Sequence, residues 1–330
     1  MTDCFKVLGV DIGGTKIAVC ITDSNGNILA SDRVPTSPYA TALKNIIEMA
    51  NQLAIRVGGS IADIKSCGIC APGPLDMIDG RMLKSPNMTW DNVPIVNDLQ
   101  KALKIPVAMD NDANAAVLAE WFFGSGKGKK DIVYLTMSTG VGGGVISGGH
   151  LITGTTKIGA ELGHIVLDAN GPLCGCGQSG CLEAYCGGRN VADHLKEAVK
   201  NDPNNAIFKL ACVDGKMDNL NFQALLEGAK AEIPLCVKMW DEFCFRLAQG
   251  IGICLITFNP ELITLGTTAY YAGDFMMEPV MRYLPMFGWK EMRKCCQIGI
   301  STLGLKIGEL AGASVALNHL YEKGLWNTNN

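Results

Sequence analysis

Four of the chain's 14 cysteines, Cys174, Cys176, Cys181 and Cys186, crowd into the glycine-rich stretch GPLCGCGQSGCLEAYCGGR at 171–189. Thiolates and imidazoles are the ligands of closed tetrahedral zinc sites, and His164 in GAELGH lies ten residues before Cys174. His164, Cys174, Cys176 and Cys181 therefore form a candidate Cys3His zinc set, with Cys186 as a reserve ligand. A metal there would tie down a loop with little core of its own. The competing readings are a set of small buried residues or a thiol sensor. Two carboxylates flank the cluster: Glu161 three residues before His164, and Glu183 two after Cys181. Held in place by a clamped loop, both could accept hydrogen bonds from a hydroxyl-rich ligand. Either one alone reads as a solvated surface residue. Cys67 and Cys70 sit in an apolar run of strand character, where an i, i+3 pair faces opposite ways and is ill-suited to joint ligation. Cys295 and Cys296 read as packing.

Two glycine-bearing turns could receive phosphate. One is Asp11-Ile12-Gly13-Gly14-Thr15-Lys16, the other Ser138-Thr139-Gly140-Val141-Gly142-Gly143-Gly144. Glycine permits close backbone approach, turn N–H groups can surround phosphate oxygens, and Thr15, Ser138 and Thr139 add hydroxyl donors. Asp11 could hold a magnesium ion through water. Each turn alone reads equally well as a tight hairpin turn. GSGKGKK at 124–130 is not a phosphate loop of the Walker type, being one residue short and lacking a following Ser or Thr. A third group, Asp110-Asn111-Asp112, immediately precedes a strong helical run. One of these residues serves as its N-cap, and local sequence favours that reading for Asp112. The alternative is that Asp112 accepts a proton from an attacking hydroxyl while Asn111 fixes the substrate.

The elements that must position these groups follow from periodicity. FKVLGVDIGGTKIAVCITDSNGNILA near the start reads as three strands joined by tight turns, and DIVYLTMSTGVGGGVISGGHLITG from residue 131 repeats that order. Two equivalent meanders predict duplicated lobes facing one another across a cleft. Leu43, Ile46, Ile47, Ala50, Leu53 and Ala54 follow helical spacing, as does the segment from Ala113 to Trp121. A long apolar helix over 236–257 ends at FNPEL, and a short strand LITLG follows. The fold class is α/β, with lobes expected at 1–120 and 121–305.

At 330 residues, 48% hydrophobic and 18% charged, the chain is globular and large enough for two domains. A net charge of -4 leaves no basic footprint for nucleic acid. Lys127–Lys130 is a short glycine-spaced run and reads as a solvated loop. No secretory signal opens the chain, and the longest apolar stretch, LAQGIGICLITF, falls short of the roughly 20 residues needed to cross a bilayer. The expected location is the cytoplasm, where thiols stay reduced.

DIGGTK, DNDANAAVLAEW, GAELGH and CGCGQSGCLE, in this order, resemble the ROK family of bacterial sugar kinases and repressors, most of all its glucokinase members. The resemblance runs from about Val7 to Leu317. It implies an actin-like ATPase fold (ribonuclease H-like), with a C-terminal helix near 306–323 packing back on the first lobe. It implies ATP-dependent phosphorylation of a hexose, glucose at C6 foremost, with an N-acetylmannosamine or N-acetylglucosamine kinase as the alternative. Asp112 matches the family's catalytic base, which reverses the local reading. Asn87, Asn111, Glu161, His164 and Glu183 match hexose contacts, and His164, Cys174, Cys176 and Cys181 match zinc ligands. Asp11, Gly13, Gly14, Thr15 and Lys16, with Ser138, Thr139, Gly140, Gly142, Gly143 and Gly266, match the ATP site. The implied cofactors are structural Zn2+ and Mg2+ with ATP, and the implied assembly is a homodimer without nucleic-acid or membrane partners.

Two departures bear on the nucleotide. LGTTAYY at 265–271 puts Thr267 and Thr268 where the family usually has glycines, and Lys306-Ile307 replaces a small acidic or polar pair. A repressor of the same family would carry a helix-turn-helix ahead of Asp11, and the ten residues there cannot hold one. A filament or chaperone role within the actin-like fold is disfavoured by the cysteine loop and its glutamates.

Overall fold

The computed structural model describes residues 4–84, 88–202, 204–212 and 217–328. Asn87 therefore lies outside the described residues. In chain order the strands are β1 (Lys6–Ile12), β2 (Lys16–Asp23), β3 (Ile28–Pro35), β4 (Ile64–Ala71), β5 (Leu75–Asp76), β6 (Arg81–Met82), β7 (Val107–Asn111), β8 (Ile132–Met137), β9 (Val141–Ser147), β10 (His150–Leu151), β11 (Leu262–Thr267) and β12 (Gln297–Ile300). The helices are α1 (Tyr39–Arg56), α2 (Ile95–Leu103), α3 (Asp112–Phe123), α4 (Leu182–Cys186), α5 (Gly188–Val199), α6 (Ala206–Ala211), α7 (Phe222–Lys230), α8 (Pro234–Phe258), α9 (Thr268–Ala272), α10 (Asp274–Tyr283), α11 (Lys290–Cys295) and α12 (Ile307–Glu322). None is long and apolar enough to cross a membrane among the described residues.

The two meanders seed two five-stranded sheets of matching order, β3-β2-β1-β4-β7 and β10-β9-β8-β11-β12. Within the first, β2 pairs antiparallel with β1 and β3, whereas β4 and β7 add in parallel. The parallel additions need crossovers, and these are the helices that cover the sheet. The third strand of the second meander is shorter than its sequence suggested, only His150–Leu151.

The chain divides into one compact unit of residues 1–132, 144–160 and 302–330, and a second of 133–143 and 161–301. The boundary expected at 120 falls inside α3. That helix packs on α12 and β4, so the first unit continues to Ile132.

In the first unit, Ile46, Ala50 and Leu53 of α1 join Leu8, Val10, Val19 and Ile21 in one buried core. The other side of the sheet is covered by α12, which lies against β1, β4 and α3. The crossing is too close for side chains: a Cβ on Gly68 would sit 2.1 Å from the Gly312 carbonyl oxygen and 2.2 Å from the Ala316 nitrogen. Both neighbours are backbone, so glycine is the residue that allows this approach.

The second unit is built around α8, which contacts α4, α7 and α10. Trp240 and Phe243 of α8 stack at 5.2 Å, with Phe222 and Phe275 closing the aromatic group. Asn259, in the left-handed region with φ 45°, ends α8 and aims the chain into β11.

Candidate active site and metal centre

In the first unit, the β1–β2 turn is closed by the Gly13 N–H donating to the Lys16 carbonyl at 2.9 Å. The Thr36 hydroxyl donates to the Gly13 carbonyl at 2.6 Å, and the Thr36 N–H to that of Thr15 at 3.0 Å. These bonds fix the turn while Gly14, Thr15 and Lys16 stay exposed. Asp11 stands half-buried at its base. Burial raises its carboxyl to about 6 against the opposing pull of Lys16; Asp112 raises it further, and the Cys70 thiol, donating to it, lowers it. Cys70 was read only as strand packing, and an apolar run gives no sign that one thiol meets a carboxylate.

The β7–α3 junction resolves the question of the cap. Asn111 is the N-cap, its side-chain oxygen accepting from the Asn114 N–H at 2.7 Å. Its amide nitrogen remains a donor suited to a hydroxyl. Asp110 is 7% exposed and accepts from the Asn111 N–H and the Asn114 side-chain amide, each at 2.8 Å. Burial holds its carboxyl at about 6 despite those two bonds and Lys157. Asp112 is thus released from capping. Its one local bond is from the Ala113 N–H at 2.9 Å. The residue is open to solvent, yet enough protein surrounds its carboxyl that desolvation raises the pKa above the usual value. Asp112 and Asp11 lie close enough for each charge to be felt, as two acids around a divalent cation would. Asp110, one of the three cap candidates, instead pairs with Asn114, and their i, i+4 spacing across a helix start is the signal of such a bracing pair.

In the second unit, the β8–β9 turn is held by backbone. The Gly188 and Arg189 N–H groups, at the start of α5, donate to the Ser138 and Thr139 carbonyls at 2.9 Å each. Ser138 and Thr139 are exposed, and Gly140 and Gly142 half-buried. Two glycines of the expected nucleotide set have a different reason to be there. Gly143 is buried, and a Cβ on it would lie 2.6 Å from Leu162; one on Gly266 would lie 1.8 Å from the Tyr134 hydroxyl. At both positions packing alone is enough to require glycine. Next to Gly266, Thr267 has φ 54°, a conformation that disfavours a β-branched residue. Its hydroxyl pairs with that of Thr136 at 2.7 Å.

Glu183 joins this turn to the cysteine loop. Its carboxylate accepts from the Val141 N–H at 2.9 Å, and its other oxygen lies 3.6 Å from the Cys174 sulfur. Gly140 allows the first contact, since a Cβ there would sit 2.3 Å from that carboxylate. Glu161 is exposed, and its carbonyl accepts from the His164 N–H at 3.0 Å to form a single tight turn.

The ligand atoms of His164, Cys174, Cys176 and Cys181 all lie within 4.8 Å of one another. A tetrahedron with Zn–S of about 2.3 Å and Zn–N of about 2.0–2.1 Å has edges of about 3.8 Å between sulfurs and about 3.6 Å from sulfur to nitrogen. The Cys176–Cys181 sulfurs are 3.7 Å apart, and Cys174 Sγ is 3.6 Å from His164 Nδ1. The donor set fits zinc in both type and size. Cys186 is excluded from it: its thiol is buried and donates to the Phe243 carbonyl at 3.7 Å. Since His164 faces the sulfurs through Nδ1, its Nε2 points elsewhere and can meet a substrate hydroxyl. Cys296 is buried, whereas Cys295, read as packing, is exposed on α11.

Comparison with known proteins places the chain in a family. A family model described as "ROK family" matches residues 7–315. A glucokinase of Streptomyces coelicolor is 33% identical over 313 residues, covering 94% of this chain and 96% of that protein. The ROK hexokinase structure from Thermus thermophilus superposes with a TM-score of 0.83 at 30% identity, covering 96% of this chain and 100% of that one. A ROK glucokinase from Streptomyces griseus, solved with glucose and AMPPNP, gives 0.72 at 32% identity, covering 94% and 99%. A xylose repressor of Bacillus subtilis also matches, at 27% identity over 96% of this chain and 78% of its own length. The duplicated sheets are those of the actin-like ATPase fold.

Proposed function

The chain belongs to the ROK family, and on that premise we propose that it is an ATP-dependent sugar kinase whose substrate is glucose, phosphorylated at C6. The observation that carries the reading is the division of labour at the β7–α3 junction. Asn111 takes the cap and Asp110 braces it, so that Asp112 presents a solvent-facing carboxylate with a raised pKa. A base whose pKa is shifted toward neutrality is suited to accepting a hydroxyl proton.

In this reading Asp112 orients the C6 hydroxyl and takes its proton as the new P–O bond forms. Phosphoryl transfer has a loose transition state, so positioning and charge neutralisation carry most of the catalysis. Asn111, Glu161, His164 and Glu183 are the proposed hexose contacts. The turns at 13–16 and 138–142 receive phosphate through exposed N–H and hydroxyl donors. Asp11 would hold magnesium through water, and magnesium would neutralise charge on the transferring phosphate. The Cys3His group would hold zinc in a closed site, fixing Glu183 through Cys174 and the loop. The remaining expectations, a homodimer in the cytoplasm, join this proposal.

The test is ATP-dependent phosphorylation of glucose, mannose, fructose, allose, N-acetylmannosamine and N-acetylglucosamine, with Asp112→Asn beside the native protein. Turnover of glucose above the others, lost in the variant, is the expected result. Turnover of an N-acetylhexosamine alone would replace glucose as the substrate. Glucose binding without turnover would move the chain to a sugar-sensing role.

A further inference from the structure

The first unit contains a cavity of about 650 Å3 that is separate from the β1–β2 turn. It runs along β7, the last strand of its sheet. Residues of a parallel strand turn their N–H and C=O alternately to one side and the other. Pro106 accepts from the Cys67 N–H of β4 at 2.8 Å, so the backbone groups of Val107 and Met109 face outward, into the cavity.

The opposite wall is α12. There the Asn318 side-chain oxygen is buried and has no hydrogen-bond partner among the described residues. A buried acceptor without a donor is a free-energy cost that a ligand hydroxyl would recover. Asp110, itself buried, lines the same space.

A second cavity of about 420 Å3 shares Gln100, Val107 and His319 with the first and adds Lys104 and Lys323. No acidic residue lines it among the described residues. His319 is half-buried, and burial, Lys323 and Lys157 all keep its pKa below the ordinary value. The ring is therefore neutral at pH 7, with two ammonium groups close enough to act on it. The second cavity thus contributes Lys104 and Lys323, while the first carries Lys157 together with the carboxylates Asp79, Asp110 and Glu322.

We propose that this groove binds a small phosphate ester bearing free hydroxyls, the chemical class of a sugar phosphate. Lys157, Lys323 and His319 hold the phosphate, and Asn318 and Asp110 accept from hydroxyls. Because Asp110 also holds the N–H of Asn111, an occupant bears on the turn that presents Asp112. The binding does not depend on the kinase reading; its effect on turnover does.

The experiment is calorimetry with glucose 6-phosphate as the probe. Saturating glucose and a non-hydrolysable ATP analogue are present throughout to fill the catalytic site. Native protein, Lys323→Gln, Lys157→Gln and Asn318→Leu are compared, with thermal melts confirming the fold of each. Native protein should bind one equivalent, and each variant should bind at least about tenfold more weakly, the loss of one charge-assisted or buried hydrogen bond. Lys323 and Lys157 are exposed, so their variants keep the test valid if Asn318→Leu fails to fold. Unchanged affinity in both lysine variants, or binding only when the catalytic site is empty, would overturn the proposal. Inorganic phosphate binding as tightly as the ester would overturn its hydroxyl half. A kinase that turns over no sugar would leave this binding result unaffected.

Discussion

Replacing Asp110 by Asn should stabilise the protein, and only above a definite pH. Asp110 is 7% exposed, and its carboxyl is raised from 3.8 to about 6. That shift of roughly two units corresponds to about 3 kcal/mol at about 1.36 kcal/mol per unit. Between these values the folded state keeps a proton that the unfolded chain has released. Stability therefore falls as pH rises through the interval from 3.8 to about 6, and the full penalty persists above it. Asparagine is neutral throughout and retains the side-chain oxygen that accepts from Asn111 and Asn114. The gap between variant and native should be near zero below pH 4 and reach about 3 kcal/mol by pH 7.5. Urea melts across this range would measure it, with hydrogen exchange in β1 and β4 reporting on the first unit. A gap equal at both ends of the range would refute the reasoning, as would a variant less stable than native at neutral pH.

Four further outcomes follow from the geometry. Asp112→Asn should lower kcat by about 10²–10⁴ with little change in sugar affinity, read by steady-state kinetics beside calorimetry. Because desolvation raises the Asp112 pKa, native kcat should fall on acidification at a pH above that of an ordinary carboxylate, as a pH–rate profile would show. Cys181→Ser, or a strong chelator, should release about one zinc per chain and lower the melting temperature, checked by metal analysis and calorimetry. Gly68→Ala must push α12 away from backbone atoms at 2.1 and 2.2 Å, and should cost more than about 3 kcal/mol or abolish soluble expression.

Much of this site was legible because its signals are local. The paired glycine turns marked both meanders, since a reversal between two strands needs those residues wherever it occurs. Cysteine and histidine spacing named four candidate metal ligands, and their separations in the structure are compatible with zinc. The choice between cap and base at Asp112 could not be made locally. An Asp-Asn-Asp run offers three cap candidates, and which one's oxygen accepts the helix N–H depends on how β7 enters the helix. The packing at Gly143 and Gly266 was hidden for a related reason: a glycine that admits a phosphate and one that admits a neighbouring side chain look alike in sequence. The groove along β7 had no signature at all. Its walls come from positions near 79, 108, 157 and 319, and only the strand order and the return of α12 bring them together.

That return also sets an order on biosynthesis. The first unit draws on three stretches of chain, and the last of them, from residue 302, supplies the cover over β1 and β4. Its sheet can be threaded early, but one face stays bare until the residues beyond 302 have left the ribosome. The second unit needs nothing beyond Ser301 and can close first. Chains fold during synthesis from whatever is complete, so here the unit whose strands are made first is finished after the second. A chain cut after residue 301 would hold every residue of the second unit while the first kept an apolar sheet face without its cover, and that is the species a chaperone would meet.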